Sequence, residues 1–360
     1  MTVEGPNQHG IGLVGCGGIA GTWIKAVDSL DQCRIELVYD LNGEAARERA
    51  SECGATAADL STLLGSPDID IVIICTPTPS HPDLTIDAAS AGKHVLCEKP
   101  MALDLRSCRR MIASCEEQVV KLAIGHTLRF YSAFLTCRRL IDEGAIGTPV
   151  SGNIDRMGAS QLRPAPALSA TDGPETAATW RSDPALTGGH LLEGFIHEID
   201  ITRAVFGEVS TAMCELAGNT AYDGLMSPDL AEALVRFESG ALVTMRAGGT
   251  VALPSQGYWF AGTEGGLRFA EWRGPVEHYR HDRDEAVLVS CDPQRAYAME
   301  LEDLLGAIET GGEPQNSGIN GLRNIALGLG MYHSYETGCR VSFADGLPKG
   351  VSDDYRNTKW

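Results

Sequence analysis

Positive charge is scarce in this sequence. Its 29 lysines and arginines are outnumbered by 48 aspartates and glutamates, which gives a formal net charge of -19 at pH 7. Nucleic acids and anionic membranes bind proteins through basic surfaces, so this balance argues against both as partners. We interpret the surplus of carboxylates as a well-solvated acidic surface.

Long hydrophobic runs and paired cysteines are also missing. No stretch approaches the ~18 uninterrupted apolar residues of a membrane span, and the N-terminus lacks the basic segment and apolar core of a secretion signal. The eleven cysteines form no Cys-x-x-Cys pair and no paired metal-ligand spacing. We therefore expect a cytoplasmic protein with reduced, mostly buried cysteines and no metal site.

What the sequence does contain is an alternation of strands and helices over its first third. At 360 residues the chain exceeds the size at which one hydrophobic core usually stops growing, so two domains are expected. Predicted strands at 11–14, 35–40, 70–75, 94–97 and 119–124 alternate with helices that include 20–30 and 44–53. This alternation predicts an N-terminal Rossmann domain, residues 1–125, with a doubly wound parallel sheet.

The pattern changes near residue 125. Segments 234–238, 241–246 and 266–269 are typical of antiparallel strands, and a Ser239-Gly240 turn separates the first two. We predict that residues 126–360 form a substrate-binding and oligomerisation domain of α/β type with an open, largely antiparallel sheet. Residues 159–187 are rich in Pro, Ala, Ser, Thr and Gly and are expected to form a long loop that acts as a lid.

A glycine-rich turn follows the first predicted strand. The segment Gly15-Cys16-Gly17-Gly18-Ile19-Ala20 matches the G-x-G-x-x-A pattern of dinucleotide-binding domains. Its glycines allow a tight turn and a close approach of the pyrophosphate to the helix N-terminus. The residues predicted to bind the cofactor here are Gly15, Gly17, Gly18 and Ile19.

Asp40 ends the second predicted strand, where a carboxylate accepts both ribose hydroxyls in such domains. No arginine follows it, so a 2'-phosphate would meet uncompensated negative charge. The predicted cofactor is therefore NAD rather than NADP. The alternative interpretation of Asp40 is a solvated turn residue.

Further motifs are spread over nearly the whole chain. They are Thr76-Pro77-Thr78-Pro79-Ser80-His81, Glu98-Lys99-Pro100, Gly125-His126 with Arg129-Phe130, Gly188-Gly189-His190-Leu191-Leu192-Glu193, His197-Glu198-Ile199-Asp200, and the segment 321–341. Together with the glycine turn, they resemble the glucose-fructose oxidoreductase, inositol dehydrogenase and MocA family. The resemblance implies hydride transfer between NAD and a secondary hydroxyl or ketone of a sugar, glycoside or cyclitol, carried out by a homodimer or homotetramer.

The resemblance also assigns catalytic residues. It places Lys99 beside the nicotinamide and the substrate, and it makes His197 the general acid/base. Alcohol oxidation needs a base of near-neutral pKa and a cation beside the developing alkoxide. Glu193 lies four residues before His197, which on one helix puts both on the same face, so Glu193 is expected to orient the imidazole. Glu193 and Phe195 replace the family's usual Asp and Gly, so the substrate is not carried over from better-known relatives.

The same motifs supply the remaining candidates for the cofactor site. The resemblance places Thr76 and Pro77 at the nicotinamide ribose and adds His81, Glu98 and Lys99 to the cofactor-binding residues.

Predicted substrate contacts come from two regions. His126 and Thr127 follow a strand, at the end where ligands of such sheets gather. Arg129 is either a substrate clamp or part of a structural ion pair. Trp180 and Arg181 form either a platform for a sugar face or an anchor for the loop.

Other interpretations remain open. Lys99 could be a surface lysine, and His197 could be a core histidine. Glu193, His197 and Asp200 could form a metal site, although a set with one imidazole and no cysteine pair is a weak set of ligands. For the whole protein the alternatives are a non-catalytic sugar-sensing regulator and a redox-neutral glycosidase or eliminase that works through a transient keto-sugar.

Overall fold

Six parallel strands form the first sheet. The computed structural model describes residues 8–158, 183–218, 230–249 and 255–358. The strand order is β3-β2-β1-β4-β5-β6, and every recorded pair is parallel. The strands are β1 (His9–Val14), β2 (Cys33–Tyr39), β3 (Thr56–Ala57), β4 (Ile71–Ile74), β5 (His94–Cys97) and β6 (Leu122–Ile124). The doubly wound parallel sheet predicted from the sequence is confirmed.

Helices cover both faces of this sheet because its central strands are apolar on both sides. All four residues of β4 are buried, as expected for a parallel strand between two helical layers. The helices are α1 (Gly18–Asp28), α2 (Gly43–Cys53), α3 (Leu60–Gly65), α4 (His81–Ser90) and α5 (Leu105–Glu117). The strand order reverses between β1 and β4, so a crevice opens at their carboxyl ends, where ligands of such sheets bind.

The second sheet has ten strands in the order β14-β13-β12-β11-β7-β10-β9-β8-β15-β16. Within the described ranges, β7 and β10 form the one parallel pair of this sheet, and its other strand pairs are antiparallel. This confirms the largely antiparallel sheet. The strands are β7 (Pro149–Met157), β8 (Val209–Ala217), β9 (Leu230–Phe237), β10 (Leu242–Gly248), β11 (Ser255–Gly262), β12 (Gly265–Phe269), β13 (Val276–Arg280), β14 (Val287–Val289), β15 (Val341–Ala344) and β16 (Leu347–Pro348).

One face of this sheet is covered by helices. In β9 buried and exposed residues alternate, which is the pattern of a sheet with one solvated face. The helices that follow β6 in the chain are α6 (Ser132–Asp142), α7 (Pro184–Thr187), α8 (His190–Glu193), α9 (Ile196–Phe206), α10 (Ala296–Thr310) and α11 (Gly318–Thr337). Helix α9 packs between β7 and α11.

The two C-terminal helices return to the first sheet. Helix α10 packs against α1, and its Leu301 and Leu304 are buried in the same apolar cluster as Trp23. Helix α11 contacts α5 and β6 on one side and β8 of the second sheet on the other. The C-terminal part of the chain therefore completes the core around the first sheet.

The structure corrects the prediction that Glu193 and His197 share a helix. Glu193 ends α8 and His197 is in α9. The amides of Gly194 and Phe195 both donate to the carbonyl oxygen of His190, so the regular hydrogen-bond ladder is interrupted between them. The four-residue spacing therefore does not place the two side chains on one helical face.

The predicted long loop also ends earlier than expected. Pro184–Thr187 forms α7, with Asp183 as its N-cap, whereas the rest of the predicted lid, residues 159–182, lies outside the described residues. In the part of the chain that the structure describes, no helix has both the length and the apolar character needed to cross a membrane.

Candidate active site

The glycine turn is shaped to receive a phosphate. Gly15 has a φ of +95°, and a Cβ on it would lie 2.8 Å from the carbonyl carbon of Cys75, so glycine is required there. A Cβ on Gly17 would meet nothing within 4 Å, which leaves open space at the start of α1. Gly17 caps α1 without a side-chain hydrogen bond. The first amides of α1 can therefore point at an anion, and Gly17, Gly18 and Ile19 are all partly exposed.

Asp40 follows β2 beside this turn and has two backbone partners. Its Oδ2 accepts from the amide of Cys16 at 2.7 Å, and its Oδ1 accepts from the amide of Asn42 at 2.7 Å. The carboxylate therefore also holds the glycine turn in place. A carboxylate offers about four acceptor sites, so both oxygens can still accept ribose hydroxyls. The arrangement fits NAD.

Arg49 is a part of this region that sequence reasoning missed. It lies on α2, and its guanidinium donates to the carbonyl oxygens of Cys16 (3.1 Å) and Gly17 (3.3 Å) and to Glu52 (2.6 Å). It thereby holds two carbonyl oxygens of the glycine turn in place. No sequence signal pointed to Arg49, because it belongs to a strongly charged segment that looks like a solvated helix.

His81 joins the loops that follow β4 and β5. Its Nε2 lies 2.8 Å from the carbonyl oxygen of Thr76, and its Nδ1 lies 2.9 Å from that of Pro100. The ring is buried. Thr76 is partly exposed and Pro77 is exposed at the strand end. His81 therefore supports the predicted cofactor loop from behind.

Glu98 is buried beneath the same loop. Trp23 Nε1 donates to its Oε1 at 2.8 Å, and the amide of Lys99 donates to its Oε2 at 3.2 Å. Burial raises the pKa of Glu98, and the neighbouring Lys99 cation opposes that effect. The Glu98 side chain therefore links the loop after β5 to α1.

Lys99 connects the two halves of the site. Its Nζ donates to the carbonyl oxygen of Glu193 at 2.8 Å and lies 3.4 Å from Glu193 Oε1. Both side chains are largely withdrawn from solvent. Glu193 therefore pairs with the cation beside it, an arrangement that the sequence-based assignment of Glu193 to the His197 imidazole did not include.

His197 and His126 lie together, and the charge of Lys99 acts on both. Their ring centroids are 6.1 Å apart and the rings are perpendicular. Nδ1 of His197 and both ring nitrogens of His126 are buried and have no hydrogen-bond partner in the described part of the chain. Burial, reinforced by the Lys99 cation, lowers the pKa of His197 well below its ordinary 6.5. The near-neutral pKa expected from the sequence is thus displaced downward, and His197 is a neutral imidazole at physiological pH.

Asp200 and Arg129 form a buried ion pair below the histidines. Arg129 Nε and Nη2 reach the two carboxylate oxygens at 2.6 and 2.9 Å, and Asn320 and Asn324 of α11 donate to Oδ1. Burial alone would raise the pKa of Asp200, but Arg129 and His126 outweigh it and hold that pKa below its usual range. Of the two interpretations of Arg129, the geometry matches the structural ion pair.

The remaining predicted contacts are distributed differently. Thr127 is buried, and its hydroxyl interacts with Glu300 of α10. Trp180 and Arg181 lie outside the described residues. Among the described residues, no three His, Cys, Asp or Glu side chains are grouped closely enough to hold a metal ion. All eleven cysteines are free and most are buried, as the sequence predicts.

A parallel sheet whose first strand leads into a glycine turn, with a carboxylate beside that turn and a lysine and a histidine just after two neighbouring strands, is the arrangement of a dinucleotide-dependent oxidoreductase. Family models agree with this class. Residues 9–126 match the model described as "Oxidoreductase family, NAD-binding Rossmann fold", and residues 134–268 match the "GFO/IDH/MocA C-terminal domain". The chain belongs to the GFO/IDH/MocA family of oxidoreductases, and its cofactor is NAD.

Individual relatives match most of the chain. The 1,5-anhydro-D-fructose reductase of Ensifer adhaerens is 29% identical over 349 residues, which is 93% of this chain and 99% of the relative. The 2,7-anhydro-N-acetylneuraminate hydratase of Escherichia coli K12 is 29% identical over 71% of this chain and 66% of its own. A levoglucosan dehydrogenase solved with NADH and L-sorbose has a TM-score of 0.83 at 22% identity, and the match covers 94% of this chain and 99% of that structure.

Proposed function

We propose that this protein is an NAD-dependent dehydrogenase or reductase that interconverts a secondary hydroxyl and a ketone on a sugar, glycoside or cyclitol. The observation that carries the proposal is the pairing of two groups: the Lys99 ammonium, which follows β5 at the carboxyl end of the sheet, and the buried neutral imidazole of His197, on which the Lys99 charge acts. Its substrate class is supported by the names of the relatives, which are enzymes of anhydro sugars.

In the proposed reaction His197 takes the proton of the reacting hydroxyl. It can do so because burial keeps its imidazole neutral. Lys99 stabilises the negative charge that develops on the substrate oxygen, and Glu193 fixes the direction of the ammonium through its carbonyl oxygen and carboxylate. NAD, when bound, supplies the hydride acceptor.

Screening sugars, glycosides and cyclitols for NADH absorbance, with product analysis alongside, tests this function. We expect NADH to form with wild-type enzyme, and His197→Ala to abolish most of the rate while NADH binding persists. A product without net NADH would favour redox-neutral chemistry through a transient keto-sugar, which the hydratase relative makes a specific second candidate. Failure of every substrate class on both readouts would contradict the proposal.

We further propose a division into a cofactor-binding part, residues 1–125, and a substrate-binding and oligomerisation part, residues 126–360, in a homodimer or homotetramer located in the cytoplasm. The free cysteines support a reducing compartment. Met213, Leu234 and Trp259 support the oligomer, because they are well exposed on three strands of the uncovered sheet face. Light scattering of the wild type and of Trp259→Glu tests the assembly, which the charge should weaken; a monomeric wild-type protein would contradict it.

A further inference from the structure

Arg156 is a cation of the cleft that the proposed mechanism does not use. It is in β7, where even-numbered residues face α9; a Cβ on Gly152, for example, would lie 2.7 Å from Phe206. Its Nη1 donates to the carbonyl oxygen of Gly194 at 2.7 Å and to Glu198 Oε2 at 2.9 Å. Arg156 therefore contacts Gly194, three residues before His197, and Glu198, the residue after it.

Two aromatic side chains, Trp272 and Tyr258, contact the ion pair of Arg156 and Glu198. The guanidinium carbon lies 4.9 Å from the ring centroid of Trp272, and Trp272 Nε1 donates to the hydroxyl of Tyr258 at 2.7 Å. Tyr258 in turn donates to Glu198 Oε1 at 3.0 Å. Both oxygens of the buried Glu198 carboxylate thus have donors, and the guanidinium plane is held against an indole.

Arg156 differs from Lys99 and Arg129 because some of its N–H donors have no hydrogen-bond acceptor in the described part of the chain. Lys99 is paired with Glu193. Arg129 donates from Nε and Nη2 to the carboxylate of Asp200. Both hydrogen bonds of Arg156 come from Nη1, and no acceptor in the described ranges engages its Nε or Nη2. The side chain is still 35% exposed. Within the described ranges, a planar edge with two parallel N–H donors is therefore left without a protein acceptor, on a side chain that contacts Glu198 next to His197 in the chain.

That edge has the geometry of a carboxylate receptor, since two parallel N–H donors match two coplanar oxygens. Because Glu198 already offsets the Arg156 charge, a monoanion suits the position better than a phosphate dianion. On a chain with a net charge of -19, an anionic substrate also needs a local cation to bind.

We propose that the free edge of Arg156 binds a carboxylate on the substrate, so that the preferred substrates are sugar acids rather than neutral sugars. This inference rests on the proposed oxidation of a sugar hydroxyl and specifies its substrate class. Arg156 acts here as a specificity residue, because it holds a part of the substrate that does not react.

Matched substrate pairs test the inference. Glucose against glucuronate and galactose against galacturonate differ in one group only, and glucose 6-phosphate tests the phosphate alternative. With NAD-loaded wild-type enzyme we expect kcat/KM to be about tenfold or more higher for the acid of a pair, as a charge-assisted hydrogen-bond pair is worth about that much. Equal values for acid and neutral sugar, or a preference for the phosphate, would overturn the inference.

Two variants separate recognition from folding. Arg156→Lys keeps the charge that Glu198 needs but loses the two-donor edge, so kcat/KM for the acid should fall about tenfold and that for the neutral sugar should change less than about twofold. If the Arg156→Met variant folds, its kcat/KM for the acid should fall on the order of 100-fold. Arg138→Met, which removes an arginine from the surface pair with Asp142, should change neither. An equal loss on both members of a pair would mean that Arg156 only supports the fold.

A binding measurement distinguishes this inference from the proposed function. Calorimetry of glucuronate with the NADH-loaded enzyme should show binding by the wild type and binding weakened at least tenfold in Arg156→Lys. If no sugar yields NADH or product but glucuronate binds in this manner, the proposed oxidation fails and the carboxylate site stands. If neutral sugars are oxidised and glucuronate does not bind, the carboxylate site fails and the oxidation stands.

Discussion

Mild acid should lower the free energy of unfolding because His126 is protonated more readily in the unfolded chain than in the folded one. Burial lowers the pKa of this histidine from 6.5 to about 4, so the unfolded chain takes up a proton that the folded chain refuses. A group with a lowered histidine pKa contributes its full share of stability above pH 6.5 and loses it as the pH falls toward 4. The difference is worth about 3 kcal/mol when complete and roughly 1.4 kcal/mol at pH 5.5.

Urea unfolding at pH 8 and pH 5.5 measures this contribution. The lower pH stays above the isoelectric point near 4.8, where loss of net charge promotes association. In His126→Asn the drop in the free energy of unfolding between the two pH values should be smaller than in the wild type by roughly 1.4 kcal/mol. The measured quantity is the change in the free energy of unfolding between the two pH values, so a loss of stability that is equal at both pH values does not affect it.

His281→Asn is the matched control, because His281 is exposed and should leave the wild-type pH dependence intact. If His126→Asn loses as much stability as the wild type between pH 8 and pH 5.5, the imidazole of His126 is not the buried neutral group described here.

Three further predictions concern the cofactor and the chemistry. Asp40→Asn should raise kcat/KM for NADP relative to NAD about tenfold, because it removes the charge that repels a 2'-phosphate; an unchanged ratio, or a wild type that prefers NADP, would refute this. Arg49→Met should raise KM for NAD about tenfold with little change in kcat, since it frees the carbonyls of the glycine turn, and an unaltered KM would exclude that role. His197→Ala and Lys99→Met should each cost on the order of 100-fold in rate while NADH still binds, and oxidation by the wild type should lose rate only as the pH falls below 6.5. Near-wild-type turnover in either folded variant would remove that residue from the mechanism.

The elements that sequence reasoning predicted are those set by local pattern. Unbroken apolar strands such as β4 and the turn at Ser239-Gly240 depend on neighbouring residues, and the structure confirms both sheets that follow from them. The glycine turn and Asp40 were predictable for the same reason, because their spacing follows from the geometry of a single βαβ unit.

Features that depend on tertiary contacts were not predictable. The interruption between α8 and α9 arises from the doubly accepting carbonyl of His190, which no helix-period pattern reveals. Arg49 and Arg156 look like ordinary charged residues until the fold brings them to a backbone carbonyl and an indole. The lowering of the His197 pKa depends on burial and on the charge of Lys99, which is far away in the sequence.

The return of α10 to α1 determines where this protein can be cut and recombined. Leu301 and Leu304 complete the apolar cluster around Trp23, and the rings of Tyr297 and Trp23 are nearly perpendicular with centroids 5.0 Å apart. A fragment that stops at residue 125 would leave that side of α1 exposed to water. Chimeras that exchange cofactor preference between relatives therefore need to transfer residues 296–310 together with residues 1–125, since α10 completes the core of the cofactor-binding part.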